Sequence, residues 1–175
     1  MIRFAHRPPH GLLSARSLMV WLAVTAALAS VAPTAHPHDF KAGSVIIDHP
    51  YATPTPPGAR TGAVYFRALR NGGRDGDRLV GARTDVASSV EIHRAVVDGN
   101  DVMRMRQLES LELPPGASPN VRHGGDVHLM LVDLKTALKD GERFRLSLRF
   151  ERAGEREVTV WVQRPRDAAA GGHKH

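Results

Sequence analysis

Two short segments of this 175-residue chain place side chains with an affinity for soft metals two positions apart: Met103-Arg104-Met105 and His128-Leu129-Met130. Along a β-strand, residues i and i+2 share a face. A strand carrying His-Leu-Met therefore presents an imidazole and a thioether side by side. His93 ends the alternating run Val90-Glu91-Ile92-His93 and supplies a second imidazole. Thioether sulfur is soft and uncharged, a poor ligand for Zn(II), Mg(II) or Ca(II) and a suitable one for Cu(I). The chain has no cysteine, so neither a thiolate metal site nor a disulfide framework is available. Two His with one or two Met point to copper. Singly the residues have blander readings, since a strand Met is more often core filler and a lone His more often a surface or hydrogen-bonded side chain.

The elements that must position these residues read as short strands. Gly43 to Asp48 reads as a first strand, and the Pro-rich stretch from Thr53 to Arg60 as a loop, because proline lacks the ladder N–H. Gly62 to Leu69 and Arg78 to Arg83 follow as strands, with 85–88 a turn. Ser89 to Arg94 delivers His93 and pairs as a hairpin with Val102 to Leu108. Leu111 to Leu113 is a short edge strand stopped by Pro114-Pro115-Gly116, and His128 to Leu134 carries the His-Leu-Met segment. Arg143 to Glu151 alternates, with Phe144, Leu146, Leu148 and Phe150 on one face and arginines and Ser147 on the other, the pattern of a half-buried antiparallel strand. Glu157 to Gln163 turns Val158, Val160 and Val162 inward and Trp161 outward. Eight or nine short strands, Gly/Pro turns and no convincing helix after residue 35 predict a single all-β domain, a sandwich or barrel. Aromatic content of 5% means a core built mainly from Val, Leu and Ile.

In its ligand spacing the chain resembles the PCu(A)C family of periplasmic copper chaperones, whose pattern is His, ten residues, Met, twenty-one residues, then His-x-Met. The matching positions are His93, Met105, His128 and Met130, with gaps of eleven and twenty-two residues. The added residues fall in the turns at 98–101 and 123–127, and loops absorb single insertions readily. The insertions leave Met103 and Met105 as alternatives for the first methionine. His49-Pro50-Tyr51-Ala52, Pro56-Pro57-Gly58, Gly62-Ala63-Val64-Tyr65, Asp77-Arg78-Leu79 and Met130-Leu131 follow in the family's order, so the resemblance covers roughly Asp39 to Gln163. It implies a cupredoxin-like Greek-key β-sandwich or barrel. It also implies Cu(I) delivery toward the CuA centre of cytochrome c oxidase subunit II, directly or with a Sco-like thioredoxin-fold partner.

The ends read differently from the centre. Arg3, Arg7 and Arg16 precede or flank an apolar run from Leu18 to Ala32, and no acidic residue occurs before Asp39. The run is shorter than the ~20 residues needed to span a bilayer, and Ala27-Leu28-Ala29 and Ser30-Val31-Ala32 offer cleavage sites. Residues 1–35 are expected to be an export signal cleaved between 29 and 38, with an uncleaved anchor as the alternative, giving a periplasmic protein that, once cleaved, meets the membrane only through its acceptor. Loss of that segment removes three of the 24 basic residues and none of the 18 acidic ones, lowering the net charge from +6 to +3. The remaining basic residues form no aromatic-interleaved stripe, which argues against nucleic-acid binding. Residues 164–175 read as a disordered tail. His36, His38, His173 and His175 are candidates for an auxiliary Cu(II) site, imidazole being a good Cu(II) ligand.

Other functions fit less well. A blue-copper electron carrier needs a Cys thiolate. A hydrolytic zinc site drawn from Glu91, His93, Asp126 and His128 leaves the methionines without a role. Nucleophile-elbow and phosphate-loop motifs are absent, so an enzyme is not expected. A copper-buffering or resistance protein, or an exported β-sandwich interaction domain with incidental His and Met, remain as alternatives.

Overall fold

A computed structural model describes residues 39–99 and 101–165 of the chain. The expected export signal, His36, His38, His173 and His175 lie outside the described residues.

The described chain forms ten strands: β1 (Asp39–Ala42), β2 (Val45–Ala52), β3 (Thr61–Asn71), β4 (Asp77–Arg83), β5 (Ala87–Val97), β6 (Met103–Leu108), β7 (Leu111–Leu113), β8 (Val127–Leu134), β9 (Arg143–Phe150) and β10 (Gly154–Val162). Several boundaries differ from the sequence reading: β2 runs on to Ala52, β3 spans Thr61–Asn71 and β5 runs on to Val97. Residues 43 and 44 are a turn, with Gly43 at φ 54°, and Asp39–Ala42 folds back on β2 as a separate strand. The segment read as a turn at 85–88 already starts β5 at Ala87, because Ala87 pairs with Leu134. β10 begins at Gly154, paired with Phe150, three residues before the predicted start.

Neighbouring strands follow the order β6-β5-β8-β3-β2-β10-β9-β4-β7, and β4 also pairs with β5. Seven strands, from β5 round to β4, thus close into a barrel, and β6 and β7 extend from it as edges. Every pairing is antiparallel except β2 with β10, where Trp161 meets Tyr51 and Val162 meets Ala52. The ring is completed between β4 and β5 by the single registered pair Ala82 with Val90.

Alternation fills the interior most regularly on β9 and β10. Phe144, Leu146, Leu148 and Phe150 of β9 and Val158, Val160 and Val162 of β10 are buried, as their spacing requires. Ile47, Val64, Phe66, Leu69, Leu79, Ile92, Leu129 and Leu131 are among the other core residues. Each such side chain contributes roughly 1.5–3 kcal/mol when fully buried. Several strands switch parity part-way: on β3 the buried residues run Val64, Phe66, Leu69 and Asn71, on β8 Val127, Leu129, Leu131 and Leu134, and β2 does the same. Val45 and Ile47 face inward on β2, yet further along Pro50 and Ala52 are the inward pair, opposite Phe66 and Val64. The reversal occurs at His49, whose φ of 42° lies in the left-handed region where a non-glycine residue is uncommon. It turns Tyr51 onto the outer surface of the barrel, opposite Tyr65, which faces outward between buried Val64 and Phe66.

Candidate metal centre

Burial fixes which way each candidate ligand points. On β8, Val127, Leu129 and Leu131 are core residues, so His128 and Met130 between them project outward. On β5, buried Ile92 sends Glu91 and His93 to the same outer face. The register then brings them together: His93 lies opposite His128 and Glu91 opposite Met130. The two imidazole rings are 5.9 Å apart, centre to centre. On the other side of β5, Gln107 lies opposite His93, Met105 opposite Ala95 and Met103 opposite Val97. Residues paired across strands share a face. Every methionine beyond Met19 is therefore on this one outer surface, Met103 and Met105 on β6 and Met130 on β8, with β5 between them. Met105 is one pleat from His93 along the β5–β6 pair, and Met103 is two pleats away.

The local electrostatics favour a neutral His128. Burial lowers the pKa of His128 below its ordinary value of 6.5, and the neighbouring His93 lowers it further. His93 is shielded, with its side chain 13% exposed, and its Nε2 lies 2.8 Å from the Oε2 of Glu91. A carboxylate can only accept, so Nε2 carries the hydrogen and, in the neutral ring, Nδ1 keeps its lone pair. Nδ1 is buried and has no hydrogen-bond partner. This is the arrangement in which a carboxylate orients a ligating imidazole through its far nitrogen.

Sequence reasoning missed the setting of the two histidines. A row of rings crosses the barrel beside them: Trp161 stacks on His49 at 5.8 Å, His49 lies 6.0 Å from Tyr51, Tyr51 5.6 Å from Tyr65, and Tyr65 6.0 Å from His128. His123 packs edge-on against Tyr65 at 5.2 Å, and its backbone N–H donates to the Tyr51 hydroxyl at 2.9 Å. Burial, with a smaller effect of Tyr51, raises the pKa of Tyr65, which holds the phenol neutral beside His128. The available signal was the alternating run Ala63-Val64-Tyr65, but the reversal at His49 that turns Tyr51 outward is invisible to a period-two pattern.

The hard-ligand alternative does not assemble. Asp126 is directed to Arg94, with a 3.8 Å ion pair, and among the described residues no three His, Cys, Asp or Glu side chains converge as a metal site would require. Copper fits the donor set better than zinc, because this face carries thioethers beside the two imidazoles, and the Glu91 carboxylate is engaged with His93.

A family model, LpqE-like, matches residues 45–162, which runs from the start of β2 to the end of β10. The chain belongs to the LpqE-like family. The match takes in all three strands of the His/Met face. A curated relative that carries a lipoprotein's name, Lxx21020 of Leifsonia xyli subsp. xyli, is 29% identical over 98 residues, 56% of this chain and 58% of that protein. The chain thus spans less than two thirds of that relative's length. Among solved structures, the copper-bound PCuAC domain from PmoF2 superposes with a TM-score of 0.62 at 26% identity, covering 73% of this chain and 99% of that domain. Its apo form gives 0.59 at 27% identity, with coverage of 74% and 97%. The solution structure of apo-DR1885 from Deinococcus radiodurans, at 24% identity, shares the fold with a TM-score of 0.54 over 95% of this chain and 97% of its own. The all-β barrel of this LpqE-like chain is thus the PCuAC fold.

Proposed function

We propose that this LpqE-like protein is an exported copper chaperone that holds Cu(I) through His93, Met105, His128 and Met130. The observation that carries the reading is the register of β6, β5 and β8, which lines up two imidazoles and two thioethers on one outer face. The similarity to a copper-bound PCuAC domain supports it. Met105 is preferred to Met103 because it is one pleat nearer His93.

Each residue has a definite part. His93 and His128 give the nitrogen donors, and burial lowers the pKa of His128, which favours its neutral, ligating form. Glu91 holds the His93 ring. Met105 and Met130 favour the monovalent ion, since a thioether brings no charge to hold Cu(II). A surface site with a half-exposed thioether suits a carrier that must release its cargo; Met105 is 54% exposed. No bond-making chemistry is assigned to the protein.

The acceptor we infer is the CuA centre of cytochrome c oxidase subunit II, reached directly or through a Sco-like thioredoxin-fold protein. Residues 1–35 are assigned as the export signal, 39–163 as the copper-binding domain and 164–175 as a tail whose His173 and His175, with His36 and His38, form an auxiliary Cu(II) site. The compartment is the periplasm. The relatives are named as lipoproteins, but this sequence has no cysteine to carry a lipid. The test is anaerobic Cu(I) titration with X-ray absorption spectroscopy, which counts sulfur and nitrogen neighbours. A mixed S/N shell that loses one sulfur in Met130→Leu, with the fold retained, is expected. An unchanged shell and affinity in that variant removes Met130 from the site.

A further inference from the structure

Among the described residues, the large hydrophobic side chains that are exposed are Val97, Val102, Met103 and Met105. All four belong to the β5–β6 hairpin, beside the His/Met face. Met105 is absorbed by the proposed copper site, but Met103 is not. It is the most exposed of the four, at 66%, on an edge strand, and it faces the same side as Met105, two residues further toward the hairpin tip. An exposed unbranched apolar side chain on an edge strand does nothing for the core.

The geometry points to Met103 as a separate outer subsite, a thioether that takes Cu(I) from the inner His93/Met105/His128/Met130 set and presents it at the hairpin tip. This rests on the copper reading above. Exposure rises along one face from His93, its side chain 13% exposed, through Met105 at 54% to Met103 at 66%. The soft donors therefore run from a shielded pair of rings to an open edge. Residues i and i+2 on a strand are about 6.6 Å apart at Cα, within reach of two flexible methionine side chains. In the transfer step a Cu–Sδ bond to Met103 forms while one bond from the ion to an inner donor breaks. Copper stays Cu(I), and no proton or electron moves, because a thioether has no proton to lose. An incoming acceptor ligand then displaces the inner donors one at a time instead of all together. The free face of Met103 meets that ligand first.

The test uses Cu(I)-loaded full-length protein and a bidentate Cu(I) chelator, bathocuproine disulfonate, as the probe acceptor. Equilibrium affinity comes from competition titration and transfer rate from stopped-flow absorbance, against chelator concentration. Met103→Leu is expected to keep the affinity within about twofold and to slow the chelator-dependent transfer about tenfold, the loss typical of one supporting contact at a metal site. Met105→Leu is expected to weaken the affinity itself. ¹³C-methyl spectra of methionine-labelled protein should shift Met105 and Met130 at the first equivalent and Met103 only with excess copper or during exchange. A wild-type transfer rate in Met103→Leu, or an affinity loss equal to that of Met105→Leu, overturns the subsite. Absence of Cu(I) binding to the wild type overturns the copper reading instead, so the two failures are told apart.

Discussion

Deleting the Glu91 carboxylate isolates the one contact that orients a proposed ligand. Its Oε2 accepts from His93 Nε2 at 2.8 Å, and the two side chains are 31% and 13% exposed, so water screens the pair only in part. In Glu91→Ala the ring loses its anchor and the Nε2–H tautomer loses its advantage. Partners of this kind are worth about 10–100-fold in metal affinity, or about 1.4–2.7 kcal/mol. Partial exposure of Glu91 places the expected loss toward the lower end, about 10–30-fold on the same scale. Glu91→Gln keeps an amide oxygen for the same N–H and should recover most of the affinity, which a merely structural role for the charge would not allow. The assay is anaerobic competition for Cu(I) against a chelator of known affinity. Long-range ¹H–¹⁵N spectra of the His93 ring should report the Nε2–H tautomer in the wild type and its loss in the alanine variant. Unchanged or tighter copper binding in Glu91→Ala, with His93→Ala still abolishing it, would refute the reasoning.

Three further outcomes are expected from the fold. Asn71 is fully buried; its amide donates to the carbonyls of Asp75 and Leu113, and its Oδ1 accepts from Ser44 Oγ and Gly73 N–H. Asn71→Ala strands those groups and should cost about 2–4 kcal/mol in urea denaturation. A Cβ at Gly125 would sit 2.5 Å from the Asn120 carbonyl oxygen and 2.9 Å from that of Arg122. Gly125→Ala should therefore shift the turn that feeds β8, losing about 1–3 kcal/mol of stability by urea denaturation and weakening Cu(I) binding in the same competition assay. Asp48 is partly buried, which raises its pKa, but two hydrogen bonds from Arg67, at 2.5 and 2.6 Å, and further favourable contacts hold it below the ordinary 3.8. Its contribution is present above pH 3.8 and is lost as pH falls through the lower folded value, so the stability gap between wild type and Asp48→Asn should close in that acid range, measured by thermal unfolding.

The barrel was legible where burial follows alternation. The β9 and β10 patterns named their inward residues one by one, and the period-two rule put Met103 with Met105 and His128 with Met130 on shared faces without any knowledge of pairing. What the sequence could not carry was register between strands. Whether His93 meets His128 or a neighbour depends on where β5 stops sliding against β8, and the long-range contacts of the whole barrel set that. The choice between Met103 and Met105 needed the β5–β6 register in the same way. The ring row was hidden because a single left-handed residue, His49, reverses the alternation of β2 in mid-strand. The extra strand β1 was missed because Asp39–Ala42 is short and only half apolar, and its place depends on the turn at Gly43.

The seam at Ala82 and Val90 has its own consequence. A cylinder fastened at one rung opens there before anywhere else, so the amides flanking that rung should exchange with solvent by a smaller fluctuation than those of β8 or β9. Opening would let β5 and β6 swing as a flap still hinged to β8. An ion clamped between His93 and His128 ties β5 to β8 on the hinge side and does not cross the seam. Loading would stiffen the hinge and leave the latch as loose as before, so cargo and cylinder could open independently of each other.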